Sequence, residues 1–152
     1  MIGDLTQEQI DQVLHMSLVG RLGLINKDQP YVVPVSYAFD GEFVYCHSRE
    51  GFKITSMRKN QKICFQVDII DNLNSWRSVL VVGKYEEIKT ENERKAAVQL
   101  LGARLNPILF SNIVNQHARN VDPPRVVEKK QHAVYYRIRI AEKTGRFQKP
   151  YA

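Results

Sequence analysis

The feature that most constrains this chain is the dipeptide Asp40-Gly41, set between two runs rich in β-branched and aromatic residues, Tyr31–Phe39 and Phe43–His47. Both residues of the dipeptide tolerate the positive φ of a tight turn, so the pair predicts a β-hairpin. Pro34 falls inside the first run. Proline has no N–H to give a ladder, so Pro34 predicts an edge strand, a bulge or a gap in the sheet.

Further strand-like runs accompany the hairpin. Gly20–Asn26 precedes a turn at Lys27–Gln29, and Pro30 suits the start of the next strand. Ile63–Asp68 is another run, followed by a polar loop over Ile69–Ser75. Trp76–Ile88 is a long strand with a bend expected at Gly83. Ala133–Ile140 is the last. In it Val134, Tyr136, Ile138 and Ile140 face one way, and Tyr135, Arg137 and Arg139 the other. Helices fall around these runs. Leu5–Ser17 carries Ile10, Val13 and Leu14 on one face, with Thr6 and Gln9 as a capping box and Leu5 as a staple to Ile10. Phe52–Asn60 reads as one or two helical turns with Ile54 and Met57 inward. Thr90 and Glu93 form a second capping box for a helix to about Arg104, and Pro107 opens a short helix to His117. Pro123-Pro124 excludes regular structure over Asn120–Pro124. Six strands with helical covers predict an antiparallel barrel, since closure removes sheet edges. No Gly-rich turn leads a strand into a helix, which excludes Rossmann and P-loop folds.

At 152 residues the chain fits a single domain spanning 1–152. No apolar run approaches the roughly 18 residues of a membrane span. No basic region followed by an apolar stretch opens the chain, so a cytoplasmic location is expected. Cys46 and Cys64 sit in apolar runs outside any CxxC pair and read as buried hydrophobic residues. The net charge of +6 is local. Residues 125–152 hold eight Lys/Arg and two Glu, while the other 124 residues hold 14 basic and 14 acidic groups. A uniformly basic nucleic-acid binder has a different distribution. The segment reads either as a face for an anionic ligand or as a solvated strand edge that resists aggregation.

Two stretches could carry chemistry. In the first, the hairpin strands end beside a loop holding His47, Ser48, Arg49 and Lys53, with Gly51 at a helix start. Main-chain N–H groups at a helix N-terminus with a lysine nearby suit a phosphate. Alternation puts Ser36 on the face opposite Val35 and Tyr37. Taken singly, His47 and Ser48 read as hairpin-end polarity and Lys53 as a solvated helix residue. In the second, Trp76-Arg77-Ser78 places an indole, a guanidinium and a hydroxyl at a strand start, a set able to stack on and bond a planar ligand. Alone, it reads as a core tryptophan beside an exposed arginine.

In order and spacing these pieces resemble the pyridoxamine 5′-phosphate oxidase-like superfamily of FMN-binding split barrels, most closely its nitroimidazole-resistance (Nim-type) branch. The matching pieces are Gly20-Arg21-Leu22-Gly23, Pro30 through Tyr37, Tyr45-Cys46-His47-Ser48 with Gly51 and Lys53, and Trp76-Arg77-Ser78-Val79 running to Gly83. Ile138-Arg139-Ile140 with Thr144-Gly145 completes the set. The resemblance implies a six-stranded antiparallel split β-barrel that forms a homodimer, with FMN in clefts at the interface. It implies that Val35, Ser36 and Tyr37 run along the isoalloxazine and that His47, Ser48 and Lys53 hold the phosphate. It also places Gln66 where the oxidases carry a flavin-contacting glutamine, and has Trp76, Arg77 and Ser78 line the same cleft from the partner subunit. Two departures stand out. Phe52 occupies the place between Gly51 and Lys53 where Nim-type proteins often carry histidine. The basic substrate-phosphate set of the true oxidases is absent, which argues against vitamin B6 oxidation.

The function this implies is an FMN-dependent oxidoreductase passing electrons from a nicotinamide donor to a small acceptor such as a nitroaromatic or quinone. A flavin or haem carrier or sensor without turnover is the alternative, with His47 as the candidate haem ligand. A nucleic-acid-binding β-barrel using Tyr135, Arg137 and Arg139 ranks last.

Overall fold

The computed structural model describes residues 1–118 and 133–151, the side chains of 107–118 excepted. The region expected to be irregular around Pro123-Pro124 lies outside the described residues.

The hairpin forms, with its turn centred one residue later than the dipeptide, on Gly41-Glu42: Asp40 N–H donates to Phe43 O at 3.3 Å and Asp40 itself has no positive φ. Gly41 has a φ of +96°, and Asp40 Oδ1 accepts from the N–H groups of Glu42 and Phe43 at 2.8 and 2.7 Å. The strand leading into it is broken. Gln29–Ser36 (β3) pairs with Val19–Asn26 (β2), whereas Ala38–Phe39 (β4) pairs with Phe43–Arg49 (β5). Tyr37 sits at the break. Its ring is fully buried, its hydroxyl donates to Leu14 O at 2.6 Å, and its N–H donates to Leu18 O at 3.1 Å. The first bond ties Tyr37 to the helix carrying Leu14, and the second extends the β2–β3 pairing one residue past Val19↔Ser36. Pro34 lies in β3, which is an edge strand as its proline requires.

The sheet is antiparallel throughout and runs β3-β2-β6-β7-β8-β5-β4. Here β6 is Lys62–Asn72, β7 is Ser75–Glu87 and β8 is Ala133–Gln148. A short strand, β1 (Ile2–Asp4), adds to β8. The two ends of this path, β3 and β4, are successive pieces of one stretch of chain. The barrel is therefore joined there by covalent chain and not by a hydrogen-bonded ladder, which makes it a split barrel.

The sheet has eight strands where the sequence predicts six. One extra comes from the break at Tyr37 and one from β1. The segment read as a polar loop, Ile69–Ser75, is mostly strand: pairing of β6 with β7 continues to Asn72↔Ser75 around a two-residue tip. Its polar residues look like loop, and the ladder runs through them with one irregularity, at Asp71. The last strand runs to Gln148, well past Ile140. A bulge between Val82 and Gly83 leaves Ala141 without a partner. The inward phase consequently moves from Val134, Tyr136 and Ile138 to Gly145 and Phe147. Gly83 permits the bulge, since a Cβ there would lie 2.3 Å from Arg139 O.

Helix α1 (Gln7–Met16) has the expected capping box. Gln9 N–H donates to Thr6 Oγ1 at 3.2 Å, and Thr6 N–H donates to Gln9 Oε1 at 2.9 Å. Its buried Ile10, Val13 and Leu14 pack with Leu5 onto the barrel core. Helix α2 (Phe52–Lys59) buries Ile54 and Met57 completely. Helix α3 (Glu91–Ala118) is one helix where two are predicted. Pro107 lacks one donor but does not end it. Inside the barrel, Leu22, Phe65, Val67, Val79, Val81, Tyr136 and Ile138 are fully buried. Each large apolar side chain sequestered in this way contributes roughly 1.5–3 kcal/mol. Cys46 belongs to this core, and burial pushes its thiol up to about 12. Cys64 is partly exposed, and both cysteines are free.

Candidate functional site

The split in the barrel sets the site. Strand β4 pairs with β5 through Ala38↔Tyr45 and Phe39↔Val44. Carried past Tyr37, the same register would set Ser36 opposite His47 and Val35 opposite Ser48. Instead β3 leaves β5 and pairs with β2. Val35-Ser36-Tyr37 and His47-Ser48 thus flank a fork whose β3 side has no strand partner. Val35 and Tyr37 are buried in the barrel and Tyr37 N–H is taken by Leu18 O, whereas Ser36 is exposed. Burial also raises the Tyr37 phenol well above its ordinary range.

At the far end of β5 the chain turns into α2. Its N-cap is Gly51, which supplies no capping side chain. The first N–H groups of α2 therefore keep their donor capacity. Lys53 is in this first turn and has no carboxylate partner among the described residues. Ser48 is partly buried, with its hydroxyl donating to Arg49 O at 3.2 Å. His47 stacks on Tyr135 at 5.7 Å. Burial, and then the Lys53 charge, hold its imidazole below the usual histidine value. Uncapped N–H groups, an unneutralised lysine and a hydroxyl form a donor set suited to a phosphate.

Around β3, β2, β6 and β7 the outward residues form a second part of the site. Cross-strand register places Pro34, Arg21, Gln66 and Leu80 in one row, and Val32, Gly23, Cys64 and Val82 in the next. Val32 is 67% exposed and Val82 43%. A groove of about 340 Å³ runs between β3, β2 and β6, lined by Ile25, Tyr31, Val32, Ile63 and Cys64 among others. Tyr31 meets Phe52 edge-on at 5.2 Å, which joins this groove to the start of α2.

Gln66 and Ser78 are brought together on this face. The Gln66 amide donates to Ser78 Oγ at 3.1 Å and to Asp68 Oδ2 at 3.0 Å. Trp76 lies on the same face, its indole N–H donating to Gln148 Oε1 at 3.0 Å. Arg77 is separated from them. By alternation it shares the inner side of β7 with the buried Val79, so the Trp76-Arg77-Ser78 run does not present three side chains to one cleft. Sequence reasoning missed Arg21 and Asp68 as site residues. They form an ion pair at 3.5 Å beside Gln66. Alternation along β6 puts Asp68 on the face of Gln66, a signal present in the sequence; the pairing that brings in Arg21 is long-range.

Known proteins share the sequence pattern and the fold of this chain. A family profile described as pyridoxamine 5′-phosphate oxidase matches residues 6–147. An uncharacterized protein of Rhizobium meliloti (strain 1021) is 35% identical over 106 residues, covering 67% of this chain and 70% of that protein. The crystal structure of a FAD-binding protein from Mesorhizobium loti superposes with a TM-score of 0.73 at 29% identity, over 97% of this chain and 98% of that one. A candidate 5-nitroimidazole antibiotic resistance protein of Bacteroides thetaiotaomicron gives a TM-score of 0.69 at 16% identity, over 97% and 87% of the two chains. That last likeness bears on the fold alone. With a family match over nearly its whole length and a barrel split at Tyr37, this chain belongs to the pyridoxamine 5′-phosphate oxidase family.

Proposed function

We propose that this protein binds FMN in a cleft completed by a second copy of the chain and acts as an oxidoreductase. It would take electrons from a nicotinamide donor and pass them to a small acceptor such as a nitroaromatic or quinone. The observation that carries this reading is the continuity of one surface. A phosphate-suited donor set at α2 adjoins an apolar groove, which leads across the sheet to Gln66, Ser78 and Trp76. A flavin nucleotide has the matching order of parts: an anionic tail, an apolar ring and a polar edge.

In this reading Ser48, Lys53 and the first N–H groups of α2 hold the phosphate, with His47 beside them. Main-chain groups of Val35, Ser36 and Tyr37 border the ring along the fork. Gln66 and Ser78 bond its polar edge, and Trp76 covers part of the face. When bound, the flavin supplies the redox chemistry, while the protein supplies orientation and exclusion of water. The exposed Val32, Leu80 and Val82 support a second copy covering this face, since apolar patches of this kind mark interaction surfaces. Among the described residues no helix is long and apolar enough to cross a membrane.

The Mesorhizobium loti protein is named for FAD, so FAD is the competing cofactor. An absorption spectrum of the purified protein, before and after adding flavin and removing the excess, tests the reading. Retained flavin released as FMN supports it, and release of FAD corrects the cofactor. No retained flavin and no affinity in titration would overturn it. Steady-state reduction by a nicotinamide donor then separates an enzyme from a carrier or sensor. Arg137 and Arg139 are both bonded to Glu86, which weighs against the nucleic-acid reading.

A further inference from the structure

The polar groups beside Gln66 determine which hydrogen-bonding pattern this face offers. A primary amide can present either a donor or an acceptor, depending on which way it is turned. Here both amide protons are taken. One goes to Asp68 Oδ2 at 3.0 Å and the other to Ser78 Oγ at 3.1 Å. A carboxylate accepts and does not donate, so Asp68 requires the nitrogen end of the amide to face it. Asp68 is itself held from its other oxygen by Arg21, at 3.5 Å. The amide oxygen of Gln66 is then left as an acceptor. The hydroxyl of Ser78 uses a lone pair on Gln66, so its own proton remains available to donate. All four side chains lie on the outward face of β2, β6 and β7, and Gln66 and Ser78 are half-buried.

We infer that Arg21 and Asp68 are positioning residues that lock the Gln66–Ser78 pair into an acceptor-beside-donor pattern, and that this pattern selects ligands with an imide edge. An imide offers a carbonyl next to an N–H, the complement of that pattern. The pyrimidine edge of an oxidised flavin is such a group, and its N3–H is the one N–H donor of the ring system. The assignment rests on the flavin reading above and deepens it. Gln66 takes N3–H, Ser78 donates to the adjacent carbonyl, and neither Arg21 nor Asp68 touches the ligand.

Two measurements test this. The first needs no flavin. In the flavin-free protein the two Gln66 amide protons should exchange slowly with solvent in a nitrogen–proton NMR spectrum, and Asp68→Asn should return them to the rate of an exposed glutamine. The second compares binding of FMN and of 3-methyl-FMN, in which N3–H is replaced. The wild type should favour FMN about tenfold or more, since the methyl group removes one hydrogen bond and leaves the Gln66 oxygen unmatched. Gln66→Met, which keeps the side-chain volume, should abolish the preference. Asp68→Asn should narrow it, because asparagine can donate to the Gln66 oxygen and turn the amide round. Fast exchange of the Gln66 protons in the wild type would overturn the clamp. Equal binding of the two flavins would overturn the imide assignment while leaving the flavin reading standing. No binding of either flavin would overturn both.

Discussion

The barrel has two outer faces, and they are finished differently. Over β5 and β8 the polar groups are paired with one another. Arg137 and Arg139 both bond Glu86, and their guanidinium groups lie 4.3 and 5.3 Å from the Phe43 ring. Arg58 bonds Glu50 and Glu87, and Arg94 sits 5.5 Å over Tyr135. Helix α3 covers part of this face with buried Ala97 and Leu101, and Arg104 reaches the His15 and Met16 carbonyls at the end of α1. Over β3, β2, β6 and β7, by contrast, valine and leucine side chains stand in solvent beside polar groups with unused bonding capacity. The basic charge concentrated in residues 125–152 therefore points to the wrong face. Its described arginines on the β5/β8 face share the single Glu86 carboxylate, which leaves one positive charge unmatched there, and the face with spare valence is one that net charge does not reveal.

The contrast can be broken or sharpened by substitution. The largest effect should come from Gly83→Val in β7, the strand both faces share. A side chain there drives into the Arg139 carbonyl, so unfolding measured by denaturant should show a loss of about 3 kcal/mol or more. Val82→Arg, one residue away and outward, should leave the fold intact. It should weaken self-association about tenfold or more by light scattering, because a charge enters an apolar contact. A monomeric wild type would dispose of the dimer instead.

Lys53→Ala should lower FMN affinity several-fold in a fluorescence titration through loss of a charge-assisted contact, with the melting temperature little changed. Glu86→Gln should release Arg137 and Arg139 and make the closed face resemble a basic surface. Salt-sensitive retention on heparin should rise, with a modest fall in melting temperature. Unchanged retention would show that Phe43 and the remaining acids already mask these arginines.

The smallest effect should be the pH dependence from His47. Its folded value lies below the unfolded value, which is about 6.5. The unfolded chain takes up the proton first, so stability falls as pH drops below about 6.5 and levels off once the folded imidazole also protonates. His47→Asn should flatten that part of a melting-temperature profile. Lys53→Gln should flatten it partly, since burial remains.

What the sequence revealed was mostly local. The hairpin at Asp40-Gly41 and the Thr6–Gln9 capping box depend on residues within a few positions, and both form, the hairpin with its turn one residue later than the dipeptide. The inward set of Val134, Tyr136 and Ile138 is equally legible. The break at Tyr37 is not, because it depends on a hydroxyl reaching Leu14, 23 residues away. The continuation of β8 past Ile140 was hidden by the bulge at Ala141, which shifts the alternation that marks a strand. In the candidate site, Ser36 was readable as an outward residue from its periodicity, whereas Gln66 was marked only by the family resemblance. Arg77 was grouped with its neighbours despite that same periodicity. Of the partners that orient Gln66, Asp68 is two residues on in the same strand, whereas Arg21 and Ser78 come from β2 and β7 and became visible only with the register of the sheet.

The position of β8 in the strand order bears on how the molecule assembles. The final strand in the chain lies in the interior of the sheet, between β7 and β5, and also carries β1. Met1 and Lys149 exchange hydrogen bonds in both directions, joining residues 148 apart in sequence. On a ribosome, β2, β3, β6 and β7 can pair into a four-stranded sheet as they emerge, but the β4–β5 hairpin has no place to dock until β8 arrives. Such long-range pairing slows folding and leaves open edges exposed in the meantime. The nascent chain should therefore be most vulnerable to aggregation just before Ala133–Gln148 clears the exit tunnel.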